Sequence, residues 1–195
     1  MNLKCICNDV CDIARRTGDF IRDEAGNFDI DDARQKGKHD FVSYVDIEAE
    51  KKLIAILSEL LPGAGFITEE GTAEASHKTL RWIIDPLDGT TNFMHGATVY
   101  SISIALEQDN EILLGVIYDV PSDELFYAYK DGGAWLNAKR IAVSTSGRLD
   151  DSLIATGFPY KNYERLGVYM KCLEFFIRNT HGVRRMGSAA IDLAW

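Results

Sequence analysis

The sequence predicts a layered fold, α+β or αβα in its packing, and three observations carry that prediction. Two segments with apolar residues every three or four positions come first, a run of segments with extended patterning follows, and helical spacing returns over 164–178. The length of 195 residues, with 46% hydrophobic and 26% charged, suits one domain over 1–195 with a sizeable core, and excludes disordered and low-complexity readings.

The first helix is read from Leu3 to Phe20, where Leu3, Ile6, Val10, Ile13 and Phe20 mark one apolar stripe. The polar stretch around Gly26, Asn27 and Gly37 reads as loop. A second helix follows Asp46: Ile47, Leu53, Ile54, Leu57 and Leu60 share a face, Glu48 and Lys52 form an i,i+4 pair, and Pro62-Gly63 stops it. Strands are expected at 65–68, 80–84, 99–106, 112–118, 124–129 and 152–156. In the third of these, bulky Tyr100, Ile102, Ile104 and Leu106 alternate with smaller Val99, Ser101, Ser103 and Ala105, and the small face is the one expected beneath a packed helix. Asp109-Asn110 and Pro121-Ser122-Asp123 supply the turns of an antiparallel meander, and Gly132-Gly133 reads as a hairpin turn rather than a nucleotide loop. Leu166, Met170, Leu173 and Phe176 give the last helix its stripe, with Phe175-Phe176 read as core or dimer contact.

The net charge of −9, from 30 acidic and 21 basic residues, speaks against nucleic-acid binding, which rests on phosphate neutralisation. The same excess of carboxylates suits hard divalent cations. No apolar run approaches the ~18 residues of a membrane span. The first residues resemble neither a signal nor a transit peptide, so a cytoplasmic location is expected. Cys5, Cys7 and Cys11 share a helix without zinc-knuckle spacing and read as reduced, buried or half-buried structural thiols. His39, His77, His95 and His181 lack metal-ligand spacing and read as surface or structural residues.

The chemistry concentrates in Trp82-Ile83-Ile84-Asp85-Pro86-Leu87-Asp88-Gly89-Thr90-Thr91-Asn92-Phe93. A buried-looking strand runs into two aspartates three apart. Pro86 fixes its own φ and removes an N–H, while Gly89 permits a tight turn, a geometry able to bring both carboxylates and the Leu87 carbonyl to one point. If Gly89 and Thr90 open a helix, their free N–H groups face an anion. Taken singly, Asp85 to Gly89 reads as an Asp-rich turn, Glu69-Glu70 as a solvated turn, and Asp46 as a helix N-cap. Three acidic strand ends or helix starts so close in sequence point instead to convergence.

These motifs resemble the inositol monophosphatase family of Mg²⁺-dependent, lithium-sensitive phosphomonoesterases, within a superfamily that includes fructose bisphosphatases and bisphosphate nucleotidases. The resemblance is carried by Lys36-Gly37, Asp40 to Asp46, Thr68-Glu69-Glu70-Gly71, Trp82 to Phe93, Ala155 to Pro159 and Gly187-Ser188-Ala189-Ala190. It implies the αβαβα sandwich of the sugar-phosphatase type, here lacking its C-terminal part, and two or three Mg²⁺ ions. It makes Glu69, Asp85 and the Leu87 carbonyl ligands of the first ion, and Asp85 with Asp88 ligands of the second. Thr90, bonded to Asp46, would orient and deprotonate the attacking water together with Glu69. The N–H groups of Gly89 and Thr90 would hold the phosphate, and Gly187, Ser188 and Ala189 would contact the ring of a small phosphorylated polyol. It also implies a homodimer.

A Trp-Asp-x-Ala-Ala-Gly pattern that completes the family's second metal site is not among the 195 residues, and Asp192, in the helix after the Gly-Ser-Ala-Ala turn, does not match that ligand. The sequence thus leaves two readings. One is an active inositol-1-phosphate phosphatase recorded incompletely, with a nucleoside 3′,5′-bisphosphate, fructose 1,6-bisphosphate or histidinol phosphate as other substrates. The second is a short relative that keeps the fold as a metal- or phosphate-binding interaction module.

Overall fold

A computed structural model describes residues 1–29, 34–37, 40–73, 78–159 and 162–195, with 34–37 and 40–42 given by backbone alone. His39 and His77, and the side chains of Lys36 and Asp40 to Val42, therefore lie outside the described residues. Helix α1 (Leu3–Ala25) opens on Asn2, whose Oδ1 accepts the N–H of Cys5 at 3.2 Å. It buries Ile6, Cys7, Val10, Ile13, Ala14 and Ile21 along one stripe. It runs to Ala25, beyond the expected Phe20, and Ile21 is the last buried residue of the stripe. Strands β1 (Arg34–Gly37) and β2 (Asp40–Val42) then form an antiparallel ribbon, so Gly37 belongs to a strand and not to a loop.

Helix α2 (Tyr44–Leu60) is capped by Ser43, not by Asp46. The Ser43 hydroxyl accepts from Val45 and Asp46, and Asp46 Oδ2 accepts the Ser43 N–H at 2.9 Å, a reciprocal capping box. Asp46 is thereby buried one turn into the helix rather than standing at its mouth.

Strands β3 (Gly65–Thr68), β4 (Leu80–Asp88), β5 (Ser101–Gln108), β6 (Glu111–Asp119), β7 (Glu124–Tyr129), β8 (Gly133–Leu136) and β9 (Lys139–Ile141) form one sheet in sequence order. β3 and β4 are parallel, and every later pair is antiparallel, the expected meander. Asp109 and Asn110 sit at φ 53° and 65° in the β5–β6 turn, the left-handed region that short polar residues tolerate.

Ile102, Ile104 and Leu106 are buried on the side that α1 and α2 cover, so the bulky face of β5 meets those helices. The small face, expected beneath a packed helix, meets one only at its start. Large side chains supply the apolar area that a helix layer must bury, about 25 cal/mol per Å², and the small face supplies little. On that small face only Ser101 is buried, where helix α5 (Ala189–Ala194) crosses, while Ser103 and Ala105 stay half-exposed.

A further two-stranded sheet, this one parallel, joins β10 (Leu153–Ala155) to β11 (Gly182–Arg184), with α4 (Leu166–Asn179) against β11. The stripe of α4 is present in the pattern but no residue of it is buried: Phe175 is 52% exposed and Phe176 half-buried, so neither belongs to the core. Of the cysteine trio, Cys7 and Cys11 are buried and Cys5 is exposed, and all are free thiols.

Candidate active site

The strand β4 does not end before Asp85 but runs through the whole Asp-Pro-Leu-Asp segment. Its partner register steps from Asp85↔Ser103 to Asp88↔Ser101, three residues against two, which is a β-bulge. In a regular strand residues three apart point to opposite faces; the one extra residue brings Asp85 and Asp88 back to the same side. Pro86 fits the bulge because it has no N–H to donate to a ladder. The Leu87 N–H turns inward and donates to Asp85 Oδ1 at 3.1 Å.

Gly89 then takes φ +100°, and a Cβ there would sit 2.9 Å from the Val99 carbonyl oxygen. Only glycine serves at this N-cap of the short helix α3 (Thr90–Met94). The first residue of α3, Thr90, donates its hydroxyl to Asp46 Oδ1 at 2.9 Å and lies 3.1 Å from the Leu87 carbonyl oxygen. The turn after β3 carries Glu69, whose N–H donates to the Ile84 carbonyl at 3.3 Å and whose carboxyl neighbours that of Asp85 closely enough to raise its pKa.

Glu69, Asp85, Leu87, Asp88, Gly89, Thr90, Gly187, Ser188 and Ala189 line one cleft of about 640 Å³, and Asp46 stands behind Thr90. Burial first, then the Glu69 carboxyl and the Asp88 charge, pushes Asp85 up to about 9. Burial also raises Asp46, against the hydrogen bonds from Ser43 and Thr90. Asp192 lines the same cleft and is raised by burial and then by Asp88.

Asp88 Oδ2 accepts the Ser188 hydroxyl at 2.7 Å and the Ala190 N–H at 2.6 Å, and Ser188 Oγ lies 3.1 Å from Ser101 Oγ. Among the described residues no three His, Cys, Asp or Glu side chains stand close enough to enclose an ion as they are turned. The donor chemistry nonetheless fits a hard divalent cation: the carboxylates of Glu69, Asp85, Asp88 and Asp192 line one cleft with Leu87, and burial together with the acidic neighbours raises the pKa of Asp85, a shift that a cation's charge would oppose.

Several residues of the site escaped the sequence reading. Asn92 Nδ2 donates to the carbonyls of Val99 at 2.7 Å and Met186 at 2.9 Å, fixing the turn that carries Gly187, itself at φ +101°. Arg185 stacks on Phe158 at 5.5 Å across the cleft mouth. Asn92 stands inside the Trp82 to Phe93 motif and Arg185 two residues before Gly187, and neither shows a further local signal of its role. His95 and His181 are exposed and take no part in the cleft.

The model of the inositol monophosphatase family matches residues 2–195. The chain belongs to this family. Among curated relatives, an inositol-1-monophosphatase of Mesorhizobium japonicum is 44% identical over 161 residues, 82% of this chain and 60% of its own length. A protein named Nus factor SuhB from Haemophilus influenzae is 38% identical over 183 residues, 93% of this chain and 68% of its own. The crystal structure of the extragenic suppressor protein suhB of Bartonella henselae superposes with a TM-score of 0.90 at 38% identity, over 97% of this chain and 73% of that one. The IMPase of Thermotoga maritima superposes with a TM-score of 0.85 at 31% identity, over 95% and 69%. The α+β fold is that of these family members. The chain spans about 60% of the length of the first of these relatives. Among the described residues no helix is long and apolar enough to cross a membrane.

Proposed function

We propose that the chain carries the metal- and phosphate-binding half of a Mg²⁺-dependent phosphomonoesterase that hydrolyses inositol 1-phosphate to inositol and inorganic phosphate. The observation that carries the reading is the meeting, in one cleft, of the Glu69–Asp85 carboxyl pair with the Thr90–Asp46 hydrogen bond. Family membership supports phosphatase chemistry; the substrate is the finer part of the proposal.

Glu69, Asp85, Asp88 and the Leu87 carbonyl would hold the metal. Bound Mg²⁺ supplies positive charge for the phosphoryl oxygens and lowers the pKa of water. Thr90 directs its proton at Asp46 Oδ1, which leaves the hydroxyl lone pairs to accept a hydrogen bond from the attacking water. Asp46, its affinity for protons raised by burial, suits the end of that relay. The N–H groups of Gly89 and Thr90 would hold the phosphate. The Gly187-Ser188-Ala189 turn, pinned to Asp88 and by Asn92, would face the polyol. Water oxygen would bond to phosphorus as the ester P–O bond breaks; the proton given up by the water passes toward Asp46, the leaving oxygen takes one up from solvent, and no phosphoenzyme forms.

A second reading, a metal- or phosphate-binding interaction module without turnover, is favoured by one observation: Asp88 Oδ2 is given to Ser188 and Ala190. Release of inorganic phosphate from inositol 1-phosphate, nucleoside 3′,5′-bisphosphate, fructose 1,6-bisphosphate and histidinol phosphate, with and without Mg²⁺, separates the readings. Mg²⁺-dependent release fastest from inositol 1-phosphate is the expected result. Faster release from another ester reassigns the substrate, and Mg²⁺ binding without release from any ester favours the module.

A further inference from the structure

Helix α2 carries a second carboxylate on the same buried face as Asp46, one turn further on. Glu50 is fully buried, at 0% exposure, yet no cation pairs with it in the described hydrogen bonds and ion pairs. A carboxylate so placed is unfavourable unless donors replace its water. Its donors among the described residues come from one short turn. Glu50 Oε2 accepts the N–H of Glu70 at 2.8 Å, and Oε1 accepts both the N–H of Thr72 at 2.9 Å and its hydroxyl at 2.7 Å. That turn begins with Glu69 and contains Gly71 at φ +68°.

Glu69 is thus fixed from both sides. Its own N–H is tied to the Ile84 carbonyl of β4, and the next N–H along the chain is tied to Glu50. Asp46 and Glu50 are four apart, so one rigid helical turn sets the distance between the anchor of Thr90 and the anchor of the Glu69 turn. Nothing in this arrangement brings the Glu50 carboxylate into the cleft, whose lining includes Glu69 but not Glu50.

We propose that Glu50 is a positioning residue: by clamping the N–H groups of Glu70 and Thr72 it holds the Glu69 carboxylate where it meets Asp85, and so sets the affinity of the site for a divalent cation. The inference rests on the proposed role of Glu69 as a metal ligand. It goes beyond that role in assigning the site's affinity to a residue that touches neither metal nor substrate.

The test is titration of Mg²⁺ by calorimetry, and of Mn²⁺ by electron paramagnetic resonance, into the substrate-free full chain and three variants. Glu69→Gln is the reference and is expected to lose high-affinity binding. Glu50→Gln keeps the shape but turns an amide donor toward a backbone donor; it is expected to weaken binding by about 10–100-fold, the usual effect of an outer-shell change at a metal site. Thr72→Ala removes one donor from the turn and is expected to weaken binding less, in the same direction. Turnover of Glu50→Gln should recover when Mg²⁺ is raised, which a folding defect would not do. Unchanged affinity in Glu50→Gln and Thr72→Ala, with Glu69→Gln impaired, overturns the positioning role alone. Unchanged affinity in Glu69→Gln, or no binding by the wild-type chain, overturns the ligand reading as well. If Glu50→Gln gives no cooperative thermal transition, Thr72→Ala decides: wild-type affinity there refutes the proposal.

Discussion

Ser188 donates its hydroxyl to Asp88 Oδ2 at 2.7 Å, joining the end of β4 to the start of α5 across 100 residues of sequence. The Ser188 oxygen also lies beside Ser101 and accepts the Ile191 N–H, so one fully buried hydroxyl serves the cleft, the sheet and a helix cap. Ser188→Ala removes the cap and leaves Ser101 without this partner. A loss of about 1–2 kcal/mol is expected, read as a lower urea midpoint with an unchanged slope.

Thr90→Ala removes the only hydroxyl that joins Asp46 to the cleft among the described residues. Turnover should fall by about 10²–10⁴-fold, with Mg²⁺ affinity nearly unchanged, and Thr90→Ser should recover most of the rate. Steady-state kinetics paired with calorimetric Mg²⁺ titration make the comparison; equal loss of binding and rate in Thr90→Ala would place the hydroxyl among the metal's supports.

Asp85→Asn is expected to separate stability from function. Burial, Glu69 and Asp88 raise the pKa of Asp85, so folding of the metal-free chain near neutral pH must take up a proton or bury a charge there, and an amide needs neither. Its melting temperature without Mg²⁺ should therefore rise or hold, while Mg²⁺ no longer stabilises the variant and phosphate release is lost. Mg²⁺-dependent activity in this variant would remove Asp85 from the ligand set.

Asp119 gives a pH dependence away from the cleft. It is 1% exposed, its Oδ2 has no hydrogen-bond partner among the described residues, and burial raises its pKa. A carboxyl raised in the folded state favours folding while protonated. Its contribution is complete below the unfolded value of about 3.9 and is lost as pH rises through the folded value. The amide introduced by Asp119→Asn stays neutral throughout, so the stability of that variant relative to the parent should improve from about pH 3.5 to about pH 7. Urea unfolding across that range checks the sign; a difference that is flat or declining would contradict it.

Gly18 lies where α1 crosses β6, and a Cβ there would fall 2.4 Å from Cε1 of Tyr118. Tyr118 is fully buried and tied to Arg22 and Asp123, so it cannot yield freely. Gly18→Ala, which would favour an isolated helix, is expected to destabilise the protein by about 1–3 kcal/mol, measurable as a lower melting temperature.

Where residues speak through local pattern, the sequence is legible. The stripes of α1 and α2, the alternation of β5 to β7 and the turn at Asp109-Asn110 all appear in place, because helix and strand periods are properties of a few consecutive residues. The short strands β1, β2, β8, β9 and β11 were not expected, since three or four residues carry too little pattern to be distinguished from loop. Glu50 could have been found: it is a carboxylate spaced on the helix face of Leu53 and Leu57, where a charge is out of place unless something answers it.

By itself the sequence determined the chemistry available, namely the carboxylates of Asp46, Glu50, Glu69, Asp85 and Asp88, the hydroxyl of Thr90, and the glycine at 89 that only a left-handed turn explains. Tertiary structure decided how these groups are aimed. The bulge that sets Asp85 and Asp88 on one side depends on the register with β5, and the burial of the bulky β5 face depends on where α1 and α2 lie. The Thr90–Asp46, Asp88–Ser188 and Glu50–Glu70 bonds join residues 44, 100 and 20 apart. Such bonds form only when the packing of whole layers brings the partners within about 3 Å, and no period in the local sequence encodes that distance.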